Sequence, residues 1–302
     1  MSFSAINGRI LATVSEWWPN PKKDQKERFG AEPGSVEYAQ AYALDQYMRK
    51  VRSGISPFLY IPSLWGKDVL EIGCGHGGIT CYLASIGARH VTGIDINVEN
   101  LRFAEELLQH FELQRGSKLT NIEFCVMNAT ELEFADESFD VIVADNLFEH
   151  VMEPEQVLKE SRRVLRHNGV LIVPLFSSIH SKYGPHLKHG LKLPWVNFFY
   201  SDSTIISAMQ HLSRRHPEML QLYPGLSDDP KTLRDLRRYK DLNYITYKMF
   251  KKMAVASGFR IDQFHIHGTI LGKLLRRMFP GVANTYALEV LSTGASALLI
   301  AD

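Results

Sequence analysis

The sequence has few cysteines, no long apolar run and almost no net charge, and each of these absences excludes a class of protein. Its 302 residues include three cysteines, which lack the paired spacing of a metal site and predict a reducing, cytoplasmic environment. A net charge of +1 supplies no field that would recruit nucleic acid. The apolar runs are far shorter than a bilayer requires, and the patch Ile10 to Val14 is too weak for a signal peptide.

The richest pattern lies between Asp68 and Asn97. An apolar run, Val69 to Ile72, predicts a buried strand, and a cluster of four glycines begins directly after it at Gly73. Apolar residues at helical spacing follow, and a second apolar strand ends on Asp95. The unit is therefore a strand, a glycine turn, a helix and a strand with an acidic end.

Each part of this unit suits a nucleoside ligand. Glycines let the backbone turn sharply and approach a ligand, the helix directs N–H groups at it, and an acidic strand end can accept ribose hydroxyls. Two ligands are compatible with the spacing. Read from Gly73 the turn spells GxGxxG, which with Asp95 suits a dinucleotide, whereas read from Glu71 it spells ExGxGxG.

The α/β pattern continues along the chain. Asn97 predicts the N-cap of a helix, Pro154 predicts the first turn of another, and Asn168-Gly169 predicts the end of that second helix. Further strands are predicted at Ile122–Val126, Val141–Ala144, Val170–Leu175, Phe259–His267 and Ser296–Ala301.

Two motifs together resemble one enzyme family. The glutamate-led glycine turn with its acidic strand end resembles motifs I and II of the class I S-adenosylmethionine-dependent methyltransferases. FDVIVADNLFEHV followed by RVLRHNGVLIV is similar to motifs IV through VI of the group that includes ubiquinone and menaquinone biosynthesis enzymes. The resemblance covers roughly Asp68 to Leu175. It implies that the cofactor is S-adenosylmethionine rather than a dinucleotide and that the acceptor is a small molecule.

The resemblance also implies an architecture. We expect a Rossmann-like, seven-stranded, mostly parallel α/β sheet with helices on both faces. Residues 1–62 would form an N-terminal helical lid, 63–176 the cofactor-binding core, 177–238 an inserted acceptor-side cap, and 239–302 the helix and strands that complete the sheet.

The resemblance further implies a cofactor site. Asp95 would hold the ribose, Asn128 would lie at the adenine, and Cys74 would fill space within the turn. The full set of expected cofactor residues is Glu71, Gly73, Cys74, Gly75, Gly77, Asp95, Ile96, Asn128, Ala129, Asp145 and Asn146.

Proton removal from the acceptor is assigned to His150, with Glu149 and His186 as further candidates. His150 follows the fourth strand, where the resemblance puts the methyl group, and a hydroxyl acceptor needs a base. O-methylation is favoured over N- or C-methylation. The alternative is a structural histidine that orders the DNLFEHV loop.

The histidines also raise a metal hypothesis, in which His186 and His189 converge with His265 and His267. Such spacings arise often by chance among 12 histidines, so we favour a polar acceptor pocket without a metal. We expect no nucleic-acid partner and no stable membrane insertion, and a homodimer is compatible with the sequence. A methyltransferase of macromolecules and a lipid-directed protein that uses the amphipathic segment Ile270 to Phe279 at a membrane surface are the other function classes.

Overall fold

The computed structural model describes residues 3–17, 28–31, 35–184, 186, 191–217, 242–278 and 286–302. The strands are β1 (Asp68–Ile72), β2 (His90–Asp95), β3 (Ile122–Val126), β4 (Phe139–Val143), β5 (Leu165–Phe176), β6 (Phe259–Gly268) and β7 (Ser292–Ala301). The helices are α1 (Phe3–Trp17), α2 (Val36–Ser53), α3 (Gly78–Ser85), α4 (Val98–Arg115), α5 (Pro154–Val164), α6 (Val196–Phe199), α7 (Asp202–Ser213), α8 (Tyr247–Ala256), α9 (Ile270–Met278) and α10 (Tyr286–Val290).

The strands form one sheet in the order β3-β2-β1-β4-β5-β7-β6. The pairs among β1 to β5 are parallel, and β7 pairs antiparallel with both β5 and β6. The order reverses between β1 and β4, which is where open α/β sheets bind ligands. The expected seven-stranded, mostly parallel fold is confirmed.

Apolar side chains cover both faces of this sheet because its central strands are buried on both sides. One cluster includes Leu70, Ile142, Leu171 and Phe250, and the other includes Val69, Val141 and Ile172 from the alternate positions of the same strands. The helices that connect the strands therefore lie on opposite faces, and the carboxyl ends of the strands meet at a shared edge.

The first helix packs against a helix of the expected cap. Leu11 and Ala12 of α1 share a buried cluster with Ile205, Ile206 and Met209 of α7. The expected lid and cap are thus joined through an apolar core of their own, which neither segment's sequence indicated. Residues 218–238 of the expected cap lie outside the described residues, and the four domain boundaries stay predictions.

The predicted helix end at Asn168-Gly169 is wrong. Helix α5 ends at Val164, and β5 begins at Leu165. Asn168 lies inside β5 with a φ of 61°, at a register shift between β4 and β5. Asparagine tolerates this left-handed conformation, so the residue makes a bulge within the strand instead of a helix terminus.

Candidate active site

The glycine turn is fixed to β2 by its backbone. The amides of Gly73 and Cys74 donate to the carbonyl of Ile94 at 2.8 and 2.9 Å. Gly75 has a φ of 53°, and a Cβ added there would meet no atom within 4 Å. The backbone at Gly75 therefore borders open space at the start of α3, where a ligand can approach closely.

Asp95 is held by donors from three residues. Its Oδ2 accepts from the amide of Gly75 at 2.9 Å, and its Oδ1 accepts from the amide of Asn97 at 2.8 Å and from Nδ2 of Asn100 at 3.3 Å. These bonds orient the carboxylate across the end of the glycine turn. A carboxylate offers about four acceptor sites, so it retains capacity for the hydroxyls of a ribose.

Glu71 is buried at the end of β1, and the hydroxyl of Thr80 donates to its Oε2. Burial is the largest cause of a pKa raised to about 8, which the Thr80 hydrogen bond partly offsets. The Glu71 carboxyl is therefore mostly protonated at neutral pH. The Glu71 side chain supports the glycine turn from the core of the protein, because it is buried and away from solvent.

Glu71→Gln is expected to reduce the pH dependence of stability. The unfolded chain ionises Glu71 near 4.5, whereas the folded chain keeps it protonated until about 8, so the wild type loses stability as pH rises across this interval. The amide cannot ionise and still accepts from Thr80. The midpoint of thermal unfolding, measured from pH 5 to 8, should fall less in the variant than in the wild type. Equal slopes would contradict this, and Glu133→Gln at an exposed position is the control.

The end of β4 is tied to the first long helix. Nζ of Lys50 on α2 lies 2.9 Å from Oδ2 of Asp145 and donates to the carbonyl of Ile55 at 2.8 Å. Both side chains are mostly buried, at 12% and 8% exposure. The neighbouring Asn146 has a φ of 53°, and its backbone N–H donates to the carbonyl of Leu175 at 2.8 Å. No local motif marks Lys50, and sequence reasoning missed it.

The residues expected near the adenine lie at the adjoining strand end. The amide of Met127, after β3, donates to the carbonyl of Asp95 at 3.1 Å, which brings this segment beside the end of β2. Asn128 is exposed, and its Oδ1 accepts from the amide of Thr130 at 3.0 Å. Ala129 is half-buried and Ile96 is 72% exposed. All four positions therefore border the same edge of the sheet.

His76 joins the glycine turn to the flanking helices. Its ring centroid lies 5.7 Å from that of Tyr42 on α2 and 5.4 Å from that of Phe103 on α4. Burial lowers its pKa, and the charge of Asp95 opposes that effect. The imidazole lies inside the turn sequence GCGHGG, so its position alone could have marked it.

The three proton-transfer candidates are brought together. The rings of His150 and His186 are 4.9 Å apart, and Nε2 of His186 lies 3.8 Å from Oε1 of Glu149. One ligating atom from each of the three side chains lies within 4.8 Å of those of the other two. Glu149 is buried, and burial raises its pKa to about 8. Its Oε1 accepts from the amide of Ser177, and its Oε2 has no partner among the described residues.

The other histidines of the metal hypothesis do not join this group. His189 lies outside the described residues. Nε2 of His267 lies 2.7 Å from Oγ of Ser296, its ring lies 3.9 Å from that of Phe58, and burial lowers its pKa to about 4. Within the described part of the chain, His265 and His267 belong to no such ligand group with His186.

The fold and the glycine turn suit a nucleoside ligand, and comparisons with known proteins show what the chain is similar to. Residues 70–173 match the family model described as a methyltransferase domain. A putative S-adenosylmethionine-dependent methyltransferase from Listeria monocytogenes shares the fold, with a TM-score of 0.50 and 14% identity over 85% of this chain and 98% of its own. Residues 70–173 therefore form a methyltransferase domain of the S-adenosylmethionine-dependent kind, as the motifs predicted.

Curated relatives match more than a third of the chain. A ubiquinone biosynthesis O-methyltransferase from Actinobacillus pleuropneumoniae serotype 7 is 37% identical over 39% of this chain and 47% of its own. A phosphatidylethanolamine N-methyltransferase from Cereibacter sphaeroides is 38% identical over 36% of this chain and 50% of its own. The chain therefore spans about half the length of these relatives. Similarity to ubiquinone-type enzymes is confirmed for the shared domain.

Proposed function

We propose that the protein transfers a methyl group from S-adenosylmethionine to an oxygen of a small biosynthetic intermediate. The observation that carries this proposal is the cluster of Glu149, His150 and His186 after β4, which provides imidazoles beside a buried carboxyl. A hydroxyl acceptor must lose a proton, and such a cluster can take it. Ubiquinone biosynthesis O-methyltransferases from several organisms match the chain, which supports an oxygen acceptor.

The cofactor roles assigned to the expected residues form part of this proposal. The open space at Gly75 and the oriented carboxylate of Asp95 fit an adenosine with free ribose hydroxyls. Asn128 and Ala129 would flank the adenine, and Asp145 with Asn146 would border the methionine part. Gly73, Gly77, Cys74 and Glu71 would shape the turn, and Ile96 would cover one side of the nucleoside.

The chain's own groups would act by position and proton transfer. When bound, S-adenosylmethionine supplies a methyl group already activated by its sulfonium, so alignment provides much of the rate. His150 would accept the acceptor's proton, and His186, whose ring lies 4.9 Å from that of His150, would help to hold the imidazole in place, with the Glu149 carboxyl beside Nε2 of His186. Helix α2 would serve as the lid because Lys50 and Tyr42 reach the strand ends and the glycine turn.

A second candidate is metal-assisted transfer to the same oxygen. It is favoured by the geometry of Glu149, His150 and His186, whose ligating atoms lie within 4.8 Å of one another. Two imidazoles and a carboxylate are a ligand set that divalent transition metals accept. In this case the three side chains would hold a cation that lowers the pKa of the acceptor hydroxyl.

The test is transfer of a labelled methyl group from S-adenosylmethionine to phenolic acceptors with and without an apolar tail. We expect O-methylated product, and product from amines alone would contradict oxygen transfer. The same assay after dialysis against EDTA separates the two candidates. Retained activity favours the imidazole as base, whereas a loss that a divalent metal restores favours the metal.

A further inference from the structure

Helix α9 presents an apolar face to solvent. Ile270 is 89% exposed, Leu271 59%, Leu274 49% and Met278 56%. At about 100° per residue these four side chains fall within one arc of about 100° on the helix. We call them the α9 patch. Single exposed apolar residues are common, but four on one face of a nine-residue helix need an explanation.

The opposite side of α9 faces the body of the protein. Gly272 is buried, and a Cβ added there would lie 3.0 Å from the carbonyl oxygen of Leu291, which directly follows α10. The helix therefore approaches the underlying backbone through a glycine. This close seating fixes the α9 patch on the outer side of the helix.

Positive charge borders the patch. Lys273 and Arg277 are exposed, and helical spacing puts them on one flank of the arc, next to Ile270. The sequence of α9, ILGKLLRRM, contains no acidic residue. Long basic side chains can lay their stems along an apolar surface while the charged ends reach polar groups.

Exposed aromatic residues extend the surface. Phe198 is 42% exposed, Phe199 75% and Tyr286 55%. The rings of Phe198 and Tyr286 both lie beside that of His180, at 5.6 and 5.0 Å between centroids. Tyr286 lies on α10, whose following residue Leu291 borders α9, and Phe198 reaches the same neighbourhood through His180.

We propose that α9 docks the protein on an anionic lipid surface, with the α9 patch among the acyl chains and its basic flank at the headgroups. Apolar residues on one face, cations beside them and aromatic neighbours are the features of interfacial helices. Charge complementarity favours lipid over a second copy. An antiparallel symmetric pairing of α9 helices through the patch would bring the basic flanks of two copies together. This docking is independent of the proposed methyl transfer and involves no membrane crossing.

Sedimentation with lipid vesicles tests the docking. The full chain should bind vesicles of phosphatidylcholine with phosphatidylglycerol and bind pure phosphatidylcholine far less, and added salt should weaken the binding. The double variant Leu271→Asp with Leu274→Asp should have a partition coefficient onto the anionic vesicles at least about tenfold lower than that of the wild type. The double variant Lys273→Glu with Arg277→Glu should show a decrease of the same size. Leu113→Asp on α4 is the matched control, because Leu113 is 83% exposed and far from the patch in sequence.

Thermal unfolding checks that these variants fold. We expect them to fold, because the substituted side chains are exposed. Equal binding to both vesicle types by the wild type would overturn the proposal. Unchanged vesicle binding by the Leu271 and Leu274 double variant would also overturn it. If sedimentation velocity instead finds a dimer that this double variant dissociates, without vesicle binding by the wild type, the patch is a contact between copies and the proposal fails.

Discussion

His150→Ala is expected to lower the rate of methyl transfer by about 10²–10⁴-fold, the usual contribution of a general base. The affinity for S-adenosylmethionine should stay nearly unchanged, because His150 lies with His186 and Glu149 and not at the glycine turn. Single-turnover transfer and calorimetric titration of the cofactor measure the two quantities separately. His90→Ala on β2 is the control, since that imidazole is 40% exposed.

The competing interpretation makes His150 a structural residue. Its backbone amide donates to the carbonyl of Leu147 at 2.8 Å, so it belongs to a tight turn that its side chain could help to order. A structural role predicts a lower unfolding temperature and weaker cofactor binding in His150→Ala. A variant that transfers methyl groups at nearly the wild-type rate would remove His150 from the mechanism, and His186→Ala would then be the next variant to measure.

Asp95→Ala is expected to weaken binding of S-adenosylmethionine by about 1–3 kcal/mol, or about 5–150-fold in the dissociation constant. The loss has two sources. The ribose hydroxyls would lose a charged acceptor, and the amides of Gly75 and Asn97 would lose the partner that orients the turn. The affinity of Asp95→Asn for S-adenosylmethionine should lie between those of the wild type and Asp95→Ala, because an amide oxygen still accepts from one of these donors.

Isothermal titration calorimetry of the purified protein measures this difference. Asp262→Ala on β6 is the control because that carboxylate is distant in sequence and about 38% exposed. Equal affinity in Asp95→Ala and the wild type would remove Asp95 from the cofactor site. Tighter binding of a nicotinamide dinucleotide than of S-adenosylmethionine would contradict the cofactor assignment as a whole.

The strands of the sheet could be predicted from the sequence because each one is marked by residues within or next to it. Apolar runs marked the strands, and the glycine turn marked the first strand–helix junction. Asn97 was expected to cap a helix, and its side chain accepts from the amide of Glu99 at 2.9 Å at the start of α4. The error at Asn168 has the same local origin, since Asn-Gly is compatible with a helix end and with a bulge.

The contacts that the sequence could not reveal join distant segments. Lys50 and Asp145 are 95 positions apart, and no pattern near Lys50 distinguishes it from the other basic residues of α2. The approach of His186 to Glu149 depends in the same way on how the segment after β5 folds back. Individual candidates were therefore predictable in the segment after β4, whereas their partners on other elements were not.

The buried pair of Lys50 and Asp145 has a consequence for the order of events at the site. Because both charges are largely withdrawn from solvent, the first small separation weakens their attraction before water can hydrate either ion, which is unfavourable. Movement of α2 away from the sheet would therefore be an infrequent, all-or-none event rather than a gradual loosening. The rates at which a ligand beneath α2 enters and leaves would then be limited by the breaking of this ion pair. Added salt would change those rates little, because salt screens a buried pair weakly.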